Sequence, residues 1–348
     1  MLVRIHQWLG VAIAAWLAVA CVSGILLLWK DEYYGWRYPA LADAPAVFQP
    51  SPEIIGQIFA TAPESISTLG MPKQSLPAYH AYLSDGSEAL FHPESAELIA
   101  RWHTIDAIPA FLFELHVHLF LGEFGHNLVG VFGILILLNL SLGFLLWLRK
   151  RAVFLPRFLM PKNLSRPRLI RGHAAQGSLL SAVFLVLVFS GVAMVFAQPV
   201  QAAFNAVFGA AETLRPTGLS VESQTIEVNW PAVVANTTSV FPEGDIRFLS
   251  KPQKPGDPIV ARLRNSGELH PNGRSYAVLH PASGAVLETI DAKQSGLGPS
   301  LFDSLYPLHA GKTGWPGYRL LLAVLSMSLL FIALSGAYLF ATRPRIPC

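Results

Sequence analysis

Four stretches of this chain hold no Asp, Glu, Lys or Arg: Ile5–Trp29, His126–Leu148, His173–Ala197 and Leu320–Thr342. Each is long enough to cross a bilayer, which takes about 20 apolar residues. Inside the membrane every backbone polar group must be satisfied within the segment, so these stretches read as helices. Only 14% of the 348 residues are charged and 52% are hydrophobic, against about 25% charged in ordinary soluble domains. A disordered chain and a nucleic-acid binder are thereby excluded as classes. The two cysteines, Cys21 and Cys348, offer neither a zinc nor a disulfide framework.

Charge orients the spans. The acidic residues fall in two long loops, Asp31 to Glu123 and Glu212 to Asp303, while the short loop from Arg149 to Arg171 is basic and holds no acid. The excess of Lys and Arg marks that short loop as cytoplasmic. Both termini then lie in the cytoplasm and both long loops face outward, into the periplasm if the cell is Gram-negative. The first span begins with a basic residue and holds Ala18-Val19-Ala20-Cys21. Its apolar run is longer than the 7–15 residues or so of a signal core, so it reads as a retained span.

The chain repeats itself. Arg4-x-His6-x-x-x-Gly10 and Ser23-Gly24 in span one match Arg171-x-His173-x-x-x-Gly177 and Ser190-Gly191 in span three, and the His-to-glycine spacing is 18 residues in both. Leu115-His116 precedes Gly143 as Leu308-His309 precedes Gly336, 27 residues apart in both. Phe91-His92-Pro93 in one loop matches Leu279-His280-Pro281 in the other. The expected fold is a mainly α membrane protein. Its four-helix bundle is built from two parallel helix–outer domain–helix repeats, related by an axis along the membrane normal. The divisions are span one at 1–30, an outer domain at 31–105, an interfacial helix plus span two at 106–150 and a basic loop at 151–172. Span three at 173–198, a second outer domain at 199–297 and an interfacial segment plus span four at 298–348 complete the chain. Alternating segments such as Ser275–Leu279 predict hairpins in the outer domains.

The repeat sorts the eleven histidines. His6 and His173 are paired at the cytoplasmic ends of spans one and three, and His116 and His309 on the outer side before spans two and four. Two imidazoles matched across an axis suit a bis-His haem. Arg4 and Arg171 are candidates for its propionates, as is Lys312 on the outer side. The same residues also suit plain interfacial roles. His116 lies 33 residues before Arg149, about 50 Å of straight helix, so Gly122-x-x-Gly125 and Gly314-x-x-Gly317 are expected to break a short interfacial helix from each span. His126 is the rival outer ligand, and His118 faces away from His116. His92 and His280 read as turn residues, and His80, His103 and His270 as loop residues. No GxGxxG fingerprint, P-loop, iron–sulfur cysteine cluster or acid–base catalytic constellation is present.

These motifs together resemble the PepSY-associated transmembrane family, over essentially the whole chain. The resemblance rests on His6-Gln7-Trp8-Leu9-Gly10, Leu115-His116 with Gly143-x-x-x-Trp147, His173-x-x-x-Gly177, Leu308-His309 and Gly336. It implies a bacterial inner (cytoplasmic) membrane protein with small α+β PepSY-like periplasmic domains and a role in iron uptake. Some members are similar to ferric-siderophore reductases with two b-type haems, and others are fused to flavin reductase domains. Gln7 stands where the family usually has Arg. The function expected from residues and resemblance together is an oxidoreductase. Electrons from a cytoplasmic reductase or a quinol pass through two haem b groups, held by His6/His173 and His116/His309, to a ferric siderophore. Two other readings compete. One is a non-enzymatic membrane-anchored module binding a periplasmic partner. The other is a transporter, which the absence of Asp, Glu and Lys from the spans disfavours. Membrane lipid is an expected partner and nucleic acid is not.

Overall fold

The computed structural model describes residues 1–45, 48–61, 65–103, 105–150, 163–211, 216, 218–221 and 227–343. Most of the basic loop expected at 151–172 lies outside them. The chain divides into two compact units. A helical unit comprises Met1–Leu28, Leu112–Gln198 and Leu308–Cys348, and a sheet unit comprises Trp29–Phe111 and Pro199–Pro307.

Three helices are long and apolar enough to cross a membrane: α1 (Leu2–Leu27), α5 (Gly122–Lys150) and α11 (Pro316–Ala341). The third apolar stretch forms two helices, α6 (Arg166–Leu179) and α7 (Ser181–Val195), bent by 68° at Leu180. Counted as one broken span, they make a fourth. The break follows from local chemistry. The Ser178 and Ser181 hydroxyls donate back to the carbonyls of Ala175 and Ser178. Sharp kinks arise where hydroxyl side chains compete with the ladder in this way. Short helices precede two of the spans, α4 (Ile108–Val117) before α5 and α10 (Leu297–His309) before α11, and two more helices, α2 (Lys30–Arg37) and α8 (Ala197–Phe208), follow α1 and α7. The break expected at Gly122 is therefore present. It runs through left-handed backbone at Leu119 (φ 54°), Phe120 (φ 57°) and Gly122 (φ 56°).

In the helical unit α1 packs against α11 and α5, and α5 packs against α7. Glycines set the closest approaches. A Cβ at Gly133 would lie 2.4 Å from Val192 Cγ2, and one at Gly130 2.6 Å from the Phe196 ring. Small residues admit close helix packing where lipid gives no hydrophobic drive between helices.

The two long loops do not form two separate sheets. Strands β1 (Ile66–Gly70), β2 (Tyr79–Leu83), β3 (Glu88–Phe91) and β4 (Leu98–Trp102) come from the first, and β5 (Asp245–Ser250), β6 (Ile259–Arg264), β7 (Ser275–Leu279) and β8 (Val286–Ile290) from the second. They form one eight-stranded sheet in the order β4-β3-β2-β1-β5-β6-β7-β8. The seam is antiparallel, pairing Thr68 with Ser250, Leu69 with Leu249 and Gly70 with Phe248. Two outer domains, read from sequence as divided, thus share a sheet, because each meander leaves its first strand with an open edge.

One sheet face is apolar and lies under α3 (Pro52–Thr61) and α9 (Trp230–Val240). Leu69, Ala81, Ala89, Leu249, Ala261 and Ala277 point into this core with Ile55, Ile58 and Val233. Phe59 stacks on Trp230 at 4.6 Å, which Gly56 permits by leaving room for the indole. The matched Phe91-His92-Pro93 and Leu279-His280-Pro281 segments form the same turn. Ala96 N–H donates to the His92 carbonyl (3.1 Å) and Gly284 N–H to the His280 carbonyl (2.8 Å). Ala96 (φ 58°) and Gly284 (φ 69°) are both left-handed there.

Candidate functional site

Four histidines of the helical unit meet in two facing pairs. The rings of His6 (α1) and His173 (α6) are 6.2 Å apart, centre to centre, and those of His116 (α4) and His309 (α10) are also 6.2 Å apart. Each ring rests against a glycine of a neighbouring helix. The Cε1 atoms of His6, His116, His173 and His309 face Gly143, Gly24, Gly336 and Gly191, where a Cβ would stand at 3.1, 3.2, 3.2 and 3.0 Å. The 18- and 27-residue spacings therefore do not bring each histidine to its own helix's glycine. They set the levels at which histidines and glycines of different helices meet.

Each Nδ1 atom meets an oxygen of the receiving helix. His6 donates to the carbonyl of Asn139 (3.2 Å) and His309 to that of Leu187 (3.1 Å). His116 and His173 have the carbonyls of Ala20 and Ile332 as backbone partners. Each carbonyl belongs to the residue four before the receiving glycine, one turn earlier on that helix. Serine hydroxyls add a second partner: Ser23 to His116 (2.9 Å), Ser190 to His309 (3.1 Å) and Ser335 to His173 (3.2 Å). These hydroxyls spend their own protons on helix carbonyls, so they accept from the imidazoles. A carbonyl only accepts, so the proton sits on Nδ1 and the Nε2 lone pair is left bare. A metal-ligating histidine is oriented in this way, its other nitrogen donating to a backbone or side-chain oxygen. The roles of Ser335 and Asn139 were missed from sequence. The Ser-Gly pairs of spans one and three, with Ser335-Gly336, were the signal for the serines.

The spacing suits an ion between the rings. An imidazole nitrogen binds a first-row metal at about 2 Å and the ring centre lies about 1 Å beyond, so two rings on opposite sides of one ion have centres about 6 Å apart. The residues present therefore fit two bis-His haems. The two levels lie on α1 at His6 and at Ser23-Gly24, about 26 Å apart by helix rise. That is most of the roughly 30 Å hydrocarbon core.

Arg4 and Arg171 are exposed, and Arg171 Nε donates to the Pro167 carbonyl. Lys312 is half-buried in the turn between α10 and α11. His126 lies in α5. Its ring lies 5.3 Å from that of His118.

This chain belongs to the PepSY-associated TM region family. The family model matches residues 3–343, so both units fall within it. No match was found among curated proteins. The family membership, with the apolar helices, makes this a membrane-anchored PepSY-associated protein.

In the sheet unit of this family member the second sheet face is polar and aromatic. His80 is not a loop residue. It lies in β2, and its Nε2 is 2.6 Å from Glu88 Oε2. Burial disfavours charge on Glu88, but the His80 bond and charge outweigh it and hold the carboxyl below its ordinary value. Tyr34 stacks on Trp102 at 5.2 Å, and burial, with Glu88 close by, pushes its phenol above the usual range. Lys73 and Ser75 both donate to the buried Asp31 carboxylate. His270 is also buried, stacked on Tyr306 at 4.8 Å.

Proposed function

We propose that this protein moves electrons across the bacterial inner membrane through two bis-His b-type haems and reduces a ferric siderophore on the periplasmic side. The observation that carries the reading is the pair of facing histidine pairs, alike in ring separation, Nδ1 partner and glycine cradle, about 26 Å apart along α1. His6 and His173 would hold the cytoplasmic group, and His116 and His309 the outer one. Bound haem iron supplies a one-electron couple at each level, tuned by ligand orientation and burial.

The chain's own residues do the rest. The carbonyls of Asn139, Ala20, Ile332 and Leu187 fix the tautomer and aim Nε2. The glycines make room for the edge of each imidazole. Arg4 and Arg171, at the cytoplasmic level, and Lys312, at the outer level, are the cations suited to propionates. Each ferric ion takes one electron, from a cytoplasmic reductase or a quinol. The ferrous product leaves because hydroxamate- and catecholate-type oxygen ligands hold it far more weakly. The shared order of elements in the two halves supports a duplicated four-helix bundle, and the basic stretch from Arg149 to Arg171 supports cytoplasmic termini.

The test is an absorption spectrum of the purified protein, oxidised and dithionite-reduced, with haem counted per chain. About two haems with b-type bands are expected. His309→Ala should remove the outer haem and leave the inner one. A well-folded protein free of haem, from cells supplied with precursor, would overturn the reading. It would favour instead a membrane-anchored module that binds a periplasmic partner.

A further inference from the structure

The turn between α4 and α5 builds a second histidine arrangement that the haem reading does not use. His118 lies on this turn and His126 in the first turns of α5, with ring centres 5.3 Å apart and interplanar angle 43°. No hydrogen bond joins the two rings. His118 Nδ1 donates to Glu114 Oε1 at 2.9 Å, which leaves its Nε2 as the available nitrogen. The Nδ1 of His126 is buried and has no partner. A buried polar atom without a partner calls for an explanation, and an unseen ion or water is one.

The backbone is bent to bring these rings together. Leu119 and Phe120 are left-handed without being glycine, a strained conformation that gathers at functional sites. The turn presses the His118 carbonyl so close to Gly125 that a Cβ there would stand 1.7 Å from it. The second half of the chain has neither histidine, and the left-handed residues of its matching turn, Gly311 (φ 71°) and Gly314 (φ 83°), are glycines. Gly311 stands two residues after His309 where His118 follows His116, and the counterpart of His126 falls at Tyr318 or Arg319. A feature confined to one half is not required by the architecture that both halves share.

We infer that His118 and His126 form a site for a divalent first-row transition-metal ion, distinct from the two facing histidine pairs. Two imidazoles bound to one ion at a tetrahedral angle have ring centres about 5 Å apart, which matches the observed separation. Glu114 orients His118 as a carboxylate orients a zinc-bound histidine. Among the described residues no third His, Cys, Asp or Glu completes a cage. The remaining positions are therefore open to water or a passing ligand, as suits an ion that exchanges. If the proposed function holds, ferrous iron released outside is the natural occupant, but the site itself does not depend on that reading.

The experiment is equilibrium dialysis of the purified full-length protein against Zn²⁺, with zinc and haem iron measured separately. The wild type is expected to hold one more Zn²⁺ per chain than His118→Ala/His126→Ala, with haem content unchanged. Glu114→Gln should weaken the site about 10-fold without abolishing it. Equal zinc in wild type and double variant overturns the proposal. Should the double variant misfold, His126→Asn and the rise in wild-type Tm with Zn²⁺ take its place. A Tm rise that His126→Asn retains in full overturns it equally. A protein purified without haem would bind extra zinc at the facing pairs. The difference of one between wild type and variant would still decide this site, while the missing haem would count against the electron-transfer reading alone.

Discussion

Gly191→Ala is the sharpest probe of the histidine cradles. The new Cβ would lie 3.0 Å from His309 Cε1 and 3.5 Å from its Nδ1. Relaxing to an ordinary carbon–carbon contact of about 3.5–4.0 Å moves the ring by roughly 0.5–1 Å. His309 Nδ1 reaches Ser190 Oγ and the Leu187 carbonyl at 3.1 Å each. That displacement takes both beyond hydrogen-bond range. At about 1 kcal/mol for each bond, the loss is about 2 kcal/mol, or roughly 30-fold in affinity for a metal held by this ring. Disturbing an oriented ligand shell costs about 10–100-fold by general experience, so the two estimates agree. The assay is haem content and a redox titration of the reduced bands, in which only the outer component should weaken or shift. Gly177→Ala is the internal control. It brings the same gain in helix propensity, about 1 kcal/mol, but its Cβ meets nothing within 4 Å. If Gly191→Ala and Gly177→Ala hold both haems alike, with the same potentials, the cradle argument is wrong.

Two further predictions concern the sheet unit. Asp85, bonded by Ser87 and Arg101, sits at about 2, and Glu88 sits below its ordinary 4.5. Both are depressed, so their contribution is complete above the unfolded values and is lost as pH falls from about 4.5 towards 2; Asp85→Asn and Glu88→Gln should flatten that acid limb when unfolding is followed by tryptophan fluorescence. Ala96→Gly should stabilise the sheet unit by about 0.5–1 kcal/mol, since it relieves a left-handed alanine at the cost of a freer unfolded chain. Gly284→Ala, whose Cβ would stand 2.6 Å from that of Ala232, should destabilise it by about 2 kcal/mol or more; urea unfolding that ranks these two variants in the opposite order refutes the turn argument.

The spans were legible because hydropathy over twenty residues needs no partner to interpret. The four facing histidines were legible because matched His-to-glycine spacings mark levels, and residues at equal levels on neighbouring helices can meet. What each ring touches was not. Gly24 receives His116 rather than serving His6 on its own helix, and a single sequence does not say which helices are neighbours. The 5.3 Å approach of His126 to His118 lies beside a turn through left-handed Leu119 and Phe120, which no residue type there advertises. The bend at Leu180 was hidden by an unbroken apolar run, its cause being two serines bonding backwards. The shared sheet was invisible for another reason: β1 and β5 carry no mark of each other beyond an open edge.

That seam has a consequence for how the molecule is made. Thr68 and Ser250, which bond across it, are 182 residues apart. At about 5–20 residues per second, the strand that seals β1 follows it by roughly ten to forty seconds. For that interval Leu69 and its neighbours form a finished meander with a bare margin, ready to accept any strand that passes. A newborn chain of this kind needs either a guardian for that margin or a low density of siblings. Truncations ending after α5 should therefore aggregate through β1, even though every residue of their own half is present.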